Sequence, residues 1–290
     1  MNIYSAKVLI KHHIRSGILA RWKWYMLSIL IFGIQWGLAY QYFSQLKYID
    51  TALPCATYMD YVLFFFRGLA PKASAIDQQF ILPIPWICIF MGNLVCAIDY
   101  SGVNIDKHVI QIIIRSNSRK TWWFSRCVWC MLSTLFYYSI GYFTLIALCT
   151  FTKTQISLSA TAELLPLFLG ADESIVRQPL SLLTNAQLGF IMPVLFSFSL
   201  NMMQLVLNLF TSQSRALVVC LSVLILSAYY TTDYAIGNYS IVMRSSCIVK
   251  NGFNPQVGQA VYLFLILILY SVGLLKAYHL DFLPNSKERG

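Results

Sequence analysis

Ionisable side chains are scarce in this sequence. Of its 290 residues, only 11% are charged, 11 are acidic, three of these are Glu, and four are His. Soluble domains carry about a quarter charged residues. Together with 58% hydrophobic residues and a mean hydropathy of +0.63, this scarcity excludes a soluble enzyme. The 15% of aromatic residues also excludes a disordered or fibrous chain, because such chains have little to bury.

Motifs for hydrolytic chemistry are missing as well. The sequence contains no Gly-x-x-x-x-Gly-Lys-Ser/Thr phosphate loop and no His-Glu-x-x-His helix. No His falls within a long apolar segment, so an intramembrane hydrolase would lack its acid, base or metal ligands. We therefore expect no catalytic residue, no metal site and no cofactor in this chain itself. No Gly/Ser-rich linker or repeat divides it, so residues 1–290 are expected to form one membrane domain.

Six apolar segments lack Asp, Glu, Lys and Arg over about the 20 residues that a helix needs to cross a bilayer. They are Trp24–Phe43, Ile81–Ile98, Cys127–Thr152, Ala186–Phe210, Ala216–Thr232 and Val257–Leu275. The sequence therefore predicts an all-α integral membrane protein with six transmembrane helices. An even number of spans places both termini on the same side of the membrane.

The basic residues are divided unevenly between the two sides that these spans define. Fourteen of the 21 Lys and Arg residues lie on the side of the termini, together with only four of the 11 acidic residues. That side carries the whole formal charge of +10, and the other side is neutral. Because cytoplasmic loops are enriched in Lys and Arg, both termini are predicted to be cytoplasmic. The basic balance thus reports orientation, and no nucleic-acid partner is expected.

Residues 1–23 fit a helix that lies along the cytoplasmic membrane surface. The apolar side of this helix consists of Ile3, Ala6, Ile10 and Ile14. Basic residues project beside that stripe, where they can sit among anionic headgroups. Leu9 and His13 fall outside it. The same residues could instead be a basic anchor that only orients the first span.

The cytoplasmic loop between spans two and three contains a short amphipathic segment. Its apolar stripe recurs at helical spacing and consists of Ile105, Val109, Ile112 and Ile113. The segment is too short and too charged to cross the membrane. It could dock against a cytoplasmic partner, or it could lie on the headgroups, with Trp122 and Trp123 as interface anchors.

Span four carries polar residues along one helical face. They are Ser197, Asn201, Gln204 and Asn208. Amides in hydrocarbon need hydrogen-bonding partners, so this face is expected to point at protein or water. It could line a translocation route or a subunit seam, or it could supply interhelical hydrogen bonds only. Asn93 in span two and Gln35 in span one are candidates for the same interior.

The outer loops contain two further features. Tyr58–Gly68 and Leu164–Ala171 are apolar but interrupted by charge or too short to span, which is typical of segments in the membrane interface. Cys55 and Cys247 both fall in outer loops and could form a disulfide if the exterior is oxidising. Sequence alone does not determine whether these two residues meet.

The loop after span two has an ordered set of residues around it: an acidic residue, a Gly, the amphipathic segment, Ser-Arg, and a basic residue entering span three. In this sequence they are Asp99, Gly102, Ile105–Ile114, Ser118-Arg119 and Arg126. This order resembles the permease subunits of type-2 ABC exporters. The family usually has Glu at the first position, Lys at the last, and Gly-Thr where this chain has Gly102-Val103. The outer segment Asp60–Leu63 with Gly68 is similar to the first outer loop of many Gram-positive members.

The resemblance implies a six-span permease in a bacterial plasma membrane. Residues 1–23 would be its elbow helix, and Ile105–Ile114 its coupling helix, resting in a groove of a separate ATPase subunit that binds ATP and Mg. The coupling residues that it implies are Asp99, Gly102, Ile105, Val109, Ile112, Ile113, Ser118 and Arg119. A second permease copy or a paralogue would complete the route, surrounded by membrane lipids.

The cargo implied is an amphipathic molecule such as an antimicrobial peptide, a lipid-linked compound or a drug. Uncharged, aromatic spans suit such a cargo better than a small ion, because no intramembrane carboxylate is present to bind a cation. An alternative remains open. A non-transporting membrane anchor or sensor that signals to a cytoplasmic partner would use the same amphipathic segment.

Overall fold

The computed structural model describes residues 3–70, 82–101, 119–170 and 180–279, with the backbone alone for 3–6 and 99–101. The helices are α1 (Ile3–Gly17), α2 (Trp22–Ile49), α3 (Tyr58–Phe65), α4 (Ile84–Ser101), α5 (Arg119–Phe151), α6 (Leu165–Leu169), α7 (Leu182–Leu207), α8 (Gln213–Tyr229) and α9 (Pro255–Tyr278). Short 3-10 turns lie at Leu19–Arg21, Ile236–Ser240 and Val242–Arg244. Within these ranges, strand pairing is limited to one isolated bridge between Ser245 and Phe253.

Four helical stretches are long and apolar enough to cross a membrane. They are Lys7–Ile49, Arg119–Phe151, Leu182–Leu207 and Pro255–Tyr278. Two further apolar helices, Ile84–Ile98 and Gln213–Tyr229, are shorter. Each of the six apolar segments of the sequence thus overlaps a helix, and four of these helices have the length that a bilayer requires.

Neighbouring helices alternate in direction along the chain. Hydrogen bonds from Gln35 to the Pro85 carbonyl and from Cys96 to the Trp24 carbonyl make α2 and α4 antiparallel. The α5 helix is parallel to α2 and antiparallel to α7, according to the bonded pairs Tyr25–Ser133, Ser28–Tyr137, Tyr138–Ser197 and Asn201–Thr134. The start of α2, the end of α4 and the start of α5 therefore lie at one end of the bundle, here named the base. The opposite end is named the cap end.

Large apolar side chains are exposed on the outer faces of the bundle. On α9, Leu263, Phe264 and Leu267 are 53% to 66% exposed. Leu30 of α2 and Val218 of α8 are exposed to a similar degree. Soluble monomers rarely expose continuous apolar surface of this kind, whereas lipid tails cover it. The exposed faces agree with a bundle that lies in a membrane.

Aromatic rings fill the interior between α2 and α5. Phe32 of α2 contacts Phe65, Tyr137, Tyr138 and Tyr142 edge to face, with ring centroids 5.7 to 6.3 Å apart. This geometry places the positive edge of one ring against the negative face of another. The tyrosines that the sequence places in span three therefore pack in the core.

The α9 helix crosses α5 at close range because Gly273 has no side chain. A Cβ atom at this position would lie 1.9 Å from Cζ2 of Trp123. The indole N–H of Trp123 donates to the Tyr270 carbonyl at 2.9 Å. Gly273 thus allows a bulky ring from the first turns of α5 to rest on the last turns of α9, and this contact joins the two helices at the base.

The α1 helix packs along the first half of α5 through Leu9 and His13, which are both buried. Ile10 and Ile14, from the apolar stripe that the sequence indicated, are only half-buried. The most deeply buried residues of this contact therefore fall outside that stripe, and Ile10 and Ile14 keep part of their surface exposed.

A π-helical turn interrupts α7 at Gln187–Ile191. A π turn widens the helix and disturbs its usual backbone hydrogen bonds. The Tyr142 hydroxyl donates to the Gly189 carbonyl in this turn at 2.8 Å. Gly189 also gives room to Met59 and Val62 of α3, because a Cβ atom there would lie within 2.8 Å of both side chains. The widened turn is therefore where α3 packs against α7.

The cap, consisting of α3, α6 and residues 235–254, covers one end of the bundle. All eight residues of α3 are buried, and the helix contacts α2, α5, α6 and the π turn of α7. Protein therefore surrounds α3, and the interfacial position that the sequence suggests for this segment stays a prediction. Backbone bonds from Val242 to Phe66 and from Met243 to Arg67 join the two halves of the cap.

Candidate functional site

The polar face of α7 lies inside the bundle. Its members Ser197, Asn201, Gln204 and Asn208 are each at most 4% exposed. The hydroxyls of Ser197 and Tyr138 are 2.7 Å apart, and the Asn201 amide donates to Thr134 Oγ1 at 2.9 Å. The half of the face nearer the cap therefore ties α7 to α5, as interhelical hydrogen bonds do in membrane proteins.

Gln204 and Asn93 have no such bonds. Gln204 is 0% exposed and Asn93 is 1% exposed. In the part of the chain that the structure describes, neither amide has a hydrogen-bonding partner for its oxygen or its nitrogen. Buried amides are nearly always bonded, because leaving one unsatisfied costs about 1–3 kcal/mol. A bound water or a polar group of a ligand would satisfy them.

The register between α4 and α7 places the amides of Asn93 and Gln204 on neighbouring turns along the bundle axis. The α4 and α7 helices run in the same direction, and the rings of Phe90 and Phe196 meet with their centroids 4.9 Å apart. Asn93 lies one turn beyond Phe90 on the same face, and Gln204 lies two turns beyond Phe196. The Oδ1 atom of Asn201, one turn before Gln204, also lacks a partner among the described residues. We name Asn93, Asn201 and Gln204 the amide site.

The Tyr137 hydroxyl and the Gln35 amide nitrogen are used in helix contacts. The Tyr137 hydroxyl donates to the Ile89 carbonyl at 3.0 Å. Gln35 Nε2 donates to the Pro85 carbonyl at 3.0 Å, which fixes the start of α4 against α2. Of the two roles that the sequence leaves open, helix bonding thus accounts for Ser197 and for the Asn201 nitrogen. It does not account for Gln204 or Asn93.

The predicted coupling segment lies largely outside the described residues. Asp99 belongs to the last turn of α4, where only the backbone is described. Gly102, Ile105, Val109, Ile112, Ile113 and Ser118 are not described. Arg119 is the first residue of α5, and its guanidinium donates to the Tyr278 carbonyl at the end of α9. The two ends of this segment are therefore attached to α4 and to a contact between α5 and α9.

A buried guanidinium lies under α1 at the base. Arg126 of α5 is 4% exposed, and its guanidinium carbon lies 5.7 Å from the centroid of the Trp122 ring. Burial of His13, with smaller contributions from the positive charges of Arg126 and His12, lowers the pKa of His13 to about 3. His13 is therefore neutral at physiological pH while α1 is docked.

We expect acidic pH to loosen the contact between α1 and α5. An undocked His13 would have the ordinary pKa of about 6.5, so the undocked state binds more protons than the docked state as the pH falls below that value. The docked state keeps its full stability above pH 6.5 and loses up to about 1.4 kcal/mol per unit as the pH falls toward 3. A spin label at Val8→Cys should become more mobile from pH 7 to pH 5. The same label in a His13→Asn background should not respond, and an equal response there would contradict the account.

Two buried charges hold the cap together. Asp60 at the start of α3 accepts hydrogen bonds from Thr57 and Thr161, and Arg244 donates to the end of α8 and to Leu69. Sequence reasoning missed both roles because most of their partners are distant in the chain. The one local signal was Thr57 three residues before Asp60, a helix-start pattern.

The cysteines are free thiols in the structure. Cys55 is exposed, Cys247 is half-buried, and neither forms a disulfide. The disulfide between them stays a prediction. Among the described residues, no three His, Cys, Asp or Glu side chains cluster closely enough to hold a metal ion.

Comparison with known proteins found no match for the chain among protein-family models, curated proteins or solved structures. What the fold defines is thus an all-helical protein with four helices capable of crossing a membrane.

Proposed function

We propose that the chain is the membrane-spanning permease subunit of an ABC-type exporter, which moves an amphipathic substrate out of the cell with a separate ATPase subunit. The observation that carries the proposal is the amide site. The amides of Asn93 and Gln204 are buried without a partner among the described residues, and a purely structural interface would be more stable with apolar residues there. A route for an amphipathic cargo needs such groups, because the polar parts of the cargo lose their water inside a membrane.

We also propose that the chain crosses the membrane six times. The alternating directions of α2, α4, α5, α7, α8 and α9 suit a chain that crosses six times. The α4 and α8 helices, at 18 and 17 residues, are about 26 Å long and somewhat short for the core of about 30 Å. A bilayer thins locally around short spans at modest cost. The base, with its excess of Lys and Arg, would face the cytoplasm of a bacterial cell.

The contacts at the base support a role in coupling. Residues 102–118 join α4 to α5, α5 begins with Arg119 bonded to the end of α9, and α1 packs on α5. A push on this segment from an ATPase that closes on ATP would therefore act on several helices at once. Nucleotide binding would shift the permease between two states by its preference for one of them.

The alternative is a membrane anchor or sensor that signals to a cytoplasmic partner without transport. The segment 102–118 and the helix α1 would serve it equally well. Amides inside the bundle that have no partner among the described residues favour the permease, because an anchor has no cargo to bind. The two functions differ in whether ATP turnover moves a substrate.

A mild-detergent pull-down of the tagged full-length chain, with mass spectrometry of its companions, tests the class of protein. An ATPase with a phosphate loop, at one copy per permease, is the expected companion. Recovery of a partner without such a loop, or of no partner, would favour the anchor or sensor.

Substitutions in the coupling segment sharpen that test. Docking of this segment should rest mainly on apolar burial, so Ile112→Asp with Ile113→Asp should abolish ATPase recovery, a loss of about 3 kcal/mol or more. Asp106→Lys leaves the apolar stripe intact and should keep most of the ATPase. Full recovery with the double variant would show that this segment is not the ATPase contact.

The amide site should separate transport from stability. Gln204→Leu removes two unsatisfied groups and should leave thermal stability unchanged or raise it by about 1 kcal/mol, while export falls. Asn201→Leu is the matched variant on the same face. It loses the bond to Thr134 and should lower both export and stability, the latter by about 1 kcal/mol. Normal export by both variants would return the whole face to a structural role.

A further inference from the structure

A cleft at the cap end lies outside the amide site. It is formed by the last turns of α2, by residues 53–56, and by residues 152–155 after α5. Its volume of about 390 Å³ is within the range of small-ligand pockets, about 300–1,000 Å³. Nothing in the permease proposal assigns it a role.

One side of the cleft is apolar, and its lining also includes two lysines. Tyr40, Phe43 and Leu46 of α2 provide the apolar side, and Lys47 and Lys153 bring two ammonium groups. Among the described residues, no Asp or Glu lines it. Of the described carboxylates near the cleft, Asp50 accepts from the Ala52 N–H, Asp60 is buried in bonds to Thr57 and Thr161, and Glu163 is not part of the lining.

The cleft is held open by hydrogen bonds on both sides. The Lys47 ammonium donates to the Leu53 carbonyl, which uses one of its three N–H groups and leaves two for a ligand. On the other side, the Tyr58 N–H donates to the Gln155 carbonyl at 3.0 Å, which fixes residues 152–155 to the start of α3. The site is therefore largely preformed.

Lys153 occupies a position where lysine is not the favoured residue. It follows α5 with φ of +55°, and the next N–H, of Thr154, donates back to the Cys149 carbonyl at 2.9 Å. This is a helix C-terminal motif that Gly or Asn fits best, and another residue costs about 1 kcal/mol. The strain lies in the backbone, and the Lys153 side chain is exposed beside the cleft.

The surroundings indicate the depth of the cleft in the membrane. Tyr48, Ile49 and Phe151, at the ends of α2 and α5, are 80% to 89% exposed. Exposed aromatic and apolar side chains at helix ends are typical of the membrane interface, where headgroups lie. A ligand there would have a polar head at the lysines and a tail along α2.

We propose that this cleft binds an anionic amphiphile, with a phosphate group on Lys47 and Lys153 and an acyl chain against Tyr40, Phe43 and Leu46. An anionic phospholipid of the leaflet at the cap end has this chemistry. The inference rests on the location of the bundle in a membrane, and it does not depend on transport or on an ATPase.

Cys55 lines the cleft and is exposed, so its reactivity reports occupancy. The full-length chain, in a Cys247→Ser background, is reconstituted in vesicles of phosphatidylcholine, with or without phosphatidylglycerol, and treated with an uncharged, impermeant polyethylene-glycol maleimide. Phosphatidylglycerol should slow labelling of Cys55 about fivefold, and inorganic phosphate added to neutral vesicles should not.

Lys153→Asn removes one charge and suits the backbone at this position, so the variant should fold at least as stably as the parent. The amount of phosphatidylglycerol needed for half protection of Cys55 should rise about tenfold in this variant, and it should rise further when Lys47→Gln is added. Lys250→Gln, an exposed lysine elsewhere at the cap end, is the matched control and should change nothing.

Three results would overturn the proposal. They are protection that survives both lysine substitutions, equal protection by inorganic phosphate, and protection that follows protein density instead of phosphatidylglycerol, as a second copy in the cleft would give. None of them bears on the permease proposal, because the assay contains no ATPase and measures no transport.

Discussion

Replacing Arg244 with Leu should destabilise the protein by about 3–5 kcal/mol, enough to disorder the cap. The guanidinium is 1% exposed. It donates to the carbonyls of Leu69, Ser227 and Ala228 at 2.7 to 3.0 Å, and to Asn238 Oδ1. Ser227 and Ala228 lie in the last turn of α8, where unsatisfied carbonyls and the helix dipole favour a positive charge. Removing the guanidinium takes this donor from four acceptors, three of which form buried hydrogen bonds with it.

Burial lowers the pKa of Arg244 to about 10, so it is still charged at neutral pH and can act in this way. Thermal unfolding in detergent measures the effect. Arg244→Lys provides a point charge in place of a planar fork and should recover only part of the loss. Arg215→Leu, an exposed Arg at the other end of α8, is the matched control and should change stability by about 0.5 kcal/mol or less. Similar unfolding temperatures for Arg244→Leu and Arg215→Leu would refute the account of the cap.

The second large effect is expected for Asp60→Ala, at about 3–5 kcal/mol. The carboxylate is 0% exposed and accepts from the N–H of Thr57 at 2.8 Å and from the N–H and hydroxyl of Thr161 at 2.9 and 2.7 Å. It thus caps α3 and binds the chain that leads into α6. Its loss removes the acceptor of the Thr57 N–H and of the Thr161 N–H and hydroxyl, and it frees both segments of the cap.

The loss of stability in Asp60→Asn should be intermediate. The amide oxygen can still accept from some of the donors of Thr57 and Thr161, but the amide nitrogen is itself a donor and cannot. Asp50→Ala is the control, since Asp50 is exposed and its carboxylate accepts from the neighbouring Ala52 N–H, so a loss of about 0.5–1 kcal/mol is expected. Proteolysis between α5 and α6, followed with time, reports release of the cap. A cap that stays as resistant in Asp60→Ala as in Asp50→Ala would contradict the role of this carboxylate.

The long helices could be predicted from the sequence because uncharged apolar runs report them directly. Span four was predicted at Ala186–Phe210, and α7 occupies Leu182–Leu207. Span three was predicted to begin at Cys127, but α5 begins at Arg119. The extra turns carry Arg119 and Arg126. The spans were predicted as segments without charged residues, so these turns were left out. Contacts with α1 and α9 make those turns helical and bury Arg126.

The contacts within the fold could not be predicted in the same way, because they join residues far apart in the chain. The α3 helix has the composition of an interfacial segment, and only its partners in α2, α5 and α7 reveal that it is buried on all sides. On α7, helical spacing grouped Ser197 with Gln204. It could not separate the residue that bonds Tyr138 from the one that lacks a partner within the described chain.

The measurement that tests the central claim most directly is ATP-driven movement of an amphipathic probe. Inside-out vesicles that contain the chain and the proposed ATPase partner are given a fluorescent cationic amphipathic peptide, with ATP or without it. The permease account predicts accumulation of the peptide that requires ATP, is lost with Ile112→Asp plus Ile113→Asp, and is reduced by Gln204→Leu. ATP hydrolysis by the intact complex that moves neither this peptide nor a lipid-linked or drug-like amphiphile would contradict it and would favour the sensor.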